Sequence, residues 1–217
     1  MAYLIIGIAV TIAVLNLHFY VQRTRITPLL RERLEGRTEE QQKVIKYFFG
    51  RPGCFRRALT DAEFDRLVEE KYHDMNFRQK ALDKIGIDES QVNEISPCNF
   101  VNYSFDNNER YTKCGNDGFF RSSTYQVTWL FFSDKQVYVY QYTYNLNDNN
   151  IKEITEEYFY KDIVNISTST EINDKGITFD EFIITVPGDK LRCAMQDDSE
   201  AEDRIRAMKN KLREKKG

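Results

Sequence analysis

The feature that most constrains the fold is an alternation of residues between Thr124 and Asn145. In QVYVYQYTYN, from Gln136 to Asn145, tyrosines stand at 138, 140, 142 and 144. A period of two marks an extended strand, in which alternate side chains share a face. The preceding TYQVTWLFF, at 124–132, has the same habit, and Ser133-Asp134-Lys135-Gln136 offers a turn between the two. Closing this hairpin sets Phe131 opposite Tyr138, Trp129 opposite Tyr140, Val127 opposite Tyr142 and Tyr125 opposite Tyr144. All eight then lie on one face. The other face pairs Phe132 with Val137 and Leu130 with Val139, then Thr128 with Gln141 and Gln126 with Thr143.

An apolar face of this size has two uses. It is the wall of a core, held by cross-strand pairs of ~0.2–1 kcal/mol each, or it is a docking surface for a protein, where tyrosine is enriched. Tyr138, Tyr140, Tyr142, Tyr144 and Trp129 are the candidate binding residues on the second reading. A stacking platform for single-stranded nucleic acid needs interleaved Lys or Arg. Neither strand has any, and the 217-residue chain carries a net charge of −3, so nucleic acid is not an expected partner.

Pro97 divides the chain. From there on, short aromatic and β-branched runs alternate with Asn/Asp/Gly clusters. The pattern predicts strands near 99–105, 118–121, 124–132, 137–145, 156–168, 178–186 and 190–195, joined by short loops as an antiparallel meander. A final amphipathic helix follows Ser199, with Ala201, Ile205, Met208 and Leu212 in one stripe and basic residues gathered at its end. Before Pro97 the pattern is helical. Thr27-Pro28 opens one piece, and Thr38 with Gln41 and Thr60 with Glu63 read as capping boxes. Apolar stripes follow each box: Val44, Ile45, Phe48 and Phe49, then Phe64, Leu67, Val68 and Tyr72.

The N-terminal run Ala2–Val21 has no Lys, Arg, Asp or Glu. As a helix rising ~1.5 Å per residue it would cross the ~30 Å hydrocarbon layer. Bulky residues follow the apolar run where a signal peptidase would need small ones, so an uncleaved anchor is expected. Basic residues lie on its C-terminal side. The positive-inside rule then places the N-terminus outside and the body in the cytoplasm. Arg23, Arg25, Arg31 and Arg33 are candidates for contact with an anionic leaflet. The expected organisation is an anchor at 1–22, a helical juxtamembrane annex at 23–95, and an antiparallel β domain with its C-terminal helix at 96–217.

No motif for catalysis, and no metal or cofactor motif, was found. There are two histidines, His18 in the apolar run and His73 on an expected helix surface. The four cysteines, at 54, 98, 114 and 193, lack zinc spacing and are expected as free thiols. Cys54, beside Arg56 and Arg57, and the scattered carboxylates are the only openings for a membrane-held enzyme. The expectation is a non-enzyme.

YQVTWLFFSDKQVYVYQYTY at 125–144, EEYFYKDIVNIS at 156–167 and the closing helix from Ser199 together resemble the bacterial pleckstrin-homology-like domain. The resemblance covers about 95–217. It implies an α+β molecule: a sheet or barrel of antiparallel strands closed by the C-terminal helix. It implies a module that binds a protein or a membrane. It carries over no lipid-binding residues, because Arg110, Lys113 and Arg121 are scattered among acids. A homo-oligomer, with a sheet edge or the tyrosine face pairing with itself, is the alternative role.

Overall fold

The computed structural model describes residues 12, 14, 29–50, 59–88, 90, 92, 95–105, 111–172, 176–195 and 199–216. The chain divides into two compact units, residues 1–58 and 59–217. In the first unit, residues 29–34 are helical and α1 spans Glu39–Phe49. Thr38 closes the expected capping box: its hydroxyl accepts from the Gln41 amide at 3.2 Å, and Gln41 Oε1 accepts from the Thr38 amide at 3.1 Å. The expected anchor, 2–21, lies outside the described residues except for Ile12 and Val14, both helical and exposed. Among the described residues no helix is long and apolar enough to cross a membrane. Arg23, Arg25 and Cys54 also lie outside them. Arg31 and Arg33 are exposed, and the Arg33 guanidinium sits 4.5 Å from the centre of the Phe49 ring.

The second unit is α+β, and all its strand pairs are antiparallel. Two helices come first, α2 (Asp61–Asp74) and α3 (Phe77–Ile85). The box predicted at Thr60 and Glu63 caps α2. Gly86 ends α3 in the left-handed region, at φ 77°, where its amide reaches the Leu82 carbonyl at 2.9 Å. Among the described residues nine strands follow: β1 (Ile95–Tyr103), β2 (Thr112–Cys114), β3 (Phe120–Ser122), β4 (Thr124–Phe132), β5 (Gln136–Asn145), β6 (Ile151–Phe159), β7 (Asn165–Ile172), β8 (Thr178–Val186) and β9 (Asp189–Met195). Helix α4 (Ser199–Lys216) closes the chain.

The strands form a four-stranded sheet in the order β1-β4-β5-β6, a three-stranded sheet β7-β8-β9, and the small hairpin β2-β3. Between the two larger sheets lies one core. Phe100, Leu130, Phe132, Val137 and Val139 from the first meet Phe182, Ile184, Leu191 and Cys193 from the second. Ile205, Met208 and Leu212 of α4 close it, as the predicted stripe requires.

Two expectations are corrected. No closed barrel forms among the described residues, because the ladder breaks between β6 and β7. The strand predicted over 156–168 is in fact two. A 3-10 turn at Tyr160–Asp162 parts them, closed by the Ile163 amide on the Tyr160 carbonyl at 3.3 Å. Tyr160 then turns into the core, and β7 starts a new sheet.

Candidate binding cleft

The predicted hairpin register holds throughout. Phe131 pairs with Tyr138, Trp129 with Tyr140, Val127 with Tyr142 and Tyr125 with Tyr144. The ladder face points away from the main core, and the chain itself covers much of it. Phe77 of α3 lies 5.4 Å from the Tyr142 ring and 6.1 Å from Tyr144, centre to centre. Lys80 places its Nζ 3.9 Å over the Tyr142 ring and pairs with Glu153 at 3.6 Å. Tyr140 donates its hydroxyl to Glu153 at 2.7 Å. Tyr140, Tyr142 and Tyr144 are buried, at 0%, 4% and 2% exposure, whereas Tyr138 and Trp129 are half-buried. Burial raises the Tyr140 and Tyr144 hydroxyls above their ordinary pKa. Three of the five candidate residues therefore build a second core between the first sheet and the helices.

Beside that second core the surface opens into a cleft of about 1010 Å³. Its walls come from α2, the end of β1, the β2-β3 hairpin and the ends of β8 and β9. Aromatic rings dominate (Tyr72, Tyr103, Phe105, Phe119, Phe120 and Tyr125), with Phe119 71% exposed at the hairpin. Four carboxylates share the lining: Asp65, Glu69, Asp117 and Asp180. Against them stand Arg121 and the exposed His73.

Arg121 is a structural cation here. Its side chain is 5% exposed, and its donors reach Asp65 and Asp117. Nε donates to Asp65 Oδ1 at 2.7 Å and Nη2 to Asp65 Oδ2 at 2.6 Å. Nη1 and Nη2 donate to the two oxygens of Asp117 at 3.0 and 2.7 Å, and Nη1 also to the Phe119 carbonyl at 3.3 Å. A guanidinium has five N–H groups, and these five bonds use them all. The Arg121 hydrogen bonds hold the Asp117 carboxyl down at about 2.

The same latch joins helix to hairpin. Tyr103 donates to Asp65 at 2.9 Å, and burial, then the Asp65 charge, raises its own pKa. The Asn116 amide donates to Asp61 at 2.8 Å. Gly115 lies against this latch: a Cβ there would stand 2.3 Å from Arg121 Nη1 and 2.5 Å from Asp117 Oδ1, so those side-chain ends would have to shift.

Sequence reasoning did not find this cleft. Asp65, the Asp117–Arg121 stretch of the β2-β3 hairpin, and Asp180 come from distant segments and share no spacing motif. The one legible signal was that Arg110, Lys113 and Arg121 are scattered among acids. Among the described residues no three His, Cys, Asp or Glu side chains gather as a metal site requires. Cys98 and Cys193 are buried and Cys114 is exposed, and burial pushes the Cys193 thiol up. No family model matches this chain, and no curated protein and no solved structure matches it.

Proposed function

We propose that this chain is a non-catalytic, membrane-tethered binding module whose cleft takes a basic segment of a protein partner. The observation that carries the reading is the charge of the cleft. Among the described residues its one arginine is held by Asp65 and Asp117, so an anionic ligand finds no uncommitted guanidinium there, while a Lys or Arg side chain finds the other two carboxylates, Glu69 and Asp180, beside the rings. Aromatic faces attract cations by about 0.5–2 kcal/mol, and an acidic cleft raises the local concentration of a basic ligand. A pleckstrin-homology-like architecture belongs to the same proposal. A four-stranded antiparallel sheet, with the β2-β3 hairpin inserted after its first strand, then a three-stranded meander and one closing helix support it. The uncharged run at 2–21 supports the tether, with the body on the cytoplasmic side.

The test is fluorescence anisotropy of a labelled nona-arginine peptide against the full chain, with nona-glutamate as control. Nona-arginine should bind, and more weakly as salt rises. Exchanging Glu69→Lys and Asp180→Lys should weaken it by at least tenfold. A control variant with the same charge change on α4 and the α2 surface, Asp203→Lys with Glu70→Lys, should leave most of the affinity. Equal losses in both variants would reduce the effect to net charge and sink the proposal.

A further inference from the structure

The second sheet has one edge that no described residue pairs with. Strand β7 pairs with β8 on one side, in a single register from Asn165 opposite Thr185 to Ile172 opposite Thr178. On its other side no described residue hydrogen-bonds to it. An open row of amides and carbonyls is a template for another strand, and proteins usually guard such rows with Lys, Pro, bulges or charges. The other outer strands of the two larger sheets are guarded. β1 carries Pro97 and a register shift between Ile95 and Cys98. β6 carries Lys152, Glu153, Glu156 and Glu157, and β9 carries Asp189, Lys190 and Arg192. β7 reads NISTSTEI, with no Lys, Arg, Pro or bulge. Its single charge, Glu171, is 3.6 Å from Arg192 of the same sheet.

We infer that β7 is a self-association surface and that its occupant is β7 of a second copy of this chain. The argument for that occupant is symmetry. Two large aliphatic side chains at the ends of this edge are left in water, Val164 at 61% and Ile172 at 71% exposure. They lie four residues before and four after Thr168. The Val164 amide already donates to the Thr185 carbonyl at 2.8 Å, so the extended path begins there. Antiparallel pairing centred on Thr168 sets Val164 of each copy against Ile172 of the other. It also sets Ile166 against Thr170, Ser167 against Ser169, and Asn165 against Glu171. All these pairs keep like faces together, as a two-fold axis perpendicular to the sheet requires. No like charges oppose each other. The product is one six-stranded sheet built from two three-stranded ones.

Thr168 is exposed and falls on the axis, so it opposes itself. A single charge there repels its own copy and attracts the opposite charge. The test is sedimentation of the full chain in mild detergent over a range of concentrations. The wild type should be dimeric at the top of the range. Thr168→Lys and Thr168→Glu should each weaken self-association by roughly tenfold or more. Mixed in equal amounts, the two variants should form a heterodimer, which also shows that both are folded. The double variant Val164→Ser, Ile172→Ser should dissociate as well. A wild type that stays monomeric, a Thr168→Lys protein as dimeric as the wild type, or a mixture that stays monomeric would each overturn the inference.

Discussion

At the scale of single residues, the tyrosines divide by burial. Tyr142 is closed in by Phe77 and by Lys80, so Tyr142→Ala removes a ring from a packed site. We expect a loss of about 3 kcal/mol, read from urea unfolding. Tyr138, half-buried at the other end of the ladder, should cost under ~1 kcal/mol when replaced by Ser. Equal costs at both positions would contradict the division. Asp117 supplies a pH dependence. It binds its proton more weakly folded than unfolded, so its contribution is complete above about pH 5 and fades as the pH falls through about 2. The hairpin amides around Asn116 should therefore exchange faster below pH 4 than those of β4 and β5. Asp117→Asn should abolish most of that extra acid dependence.

At the scale of elements, what was legible followed periodicity and caps. The β4-β5 register could be read residue by residue, because a period of two leaves one choice once the turn is placed. The boxes at Thr38 and Thr60 announced their helices. Periodicity ran 156–168 together as one strand. The break between β6 and β7 was legible only in the likeness at YFYKDIVNIS, where a strand, Tyr-x-Asp-Ile and a second strand follow one another. Asp162 is the one turn-favouring residue of Tyr160-Lys161-Asp162. Strand β2 is three residues long, too short to show a period. Nor could the side of the sheet on which the tyrosines lie be read as core or surface. Both faces of the β4-β5 hairpin carry apolar side chains, and the covering came from helices more than fifty residues upstream. The β2-β3 hairpin bears on the cleft directly. Gly115→Ala would drive a methyl group into Arg121 and Asp117. It should cost about 1–3 kcal/mol and lower nona-arginine binding through displacement of Phe119. Unfolding and anisotropy measured on the same variant check both.

At the scale of the whole molecule, the two compact units have different charge. Residues 22–57 carry ten Lys and Arg against four Glu, while the cleft in the second unit is acidic. On the proposed tether, deleting residues 2–21 should move the chain from the carbonate-resistant membrane fraction to the soluble one. Retention in the membrane would point instead to the basic segment, at about 1 kcal/mol per residue near an anionic surface.

The helices that cover the tyrosine face also set a schedule. Phe77 on α3 leaves the ribosome well before the β5 rings it rests on. Asn145, the end of β5, follows Leu82 by ~60 residues, about 3–12 s at ordinary elongation rates. For that interval the apolar stripes of α2 and α3 have no sheet to cover. The nascent chain therefore passes through a stage in which two finished helices need shelter, and a pause in translation before β5 would prolong it.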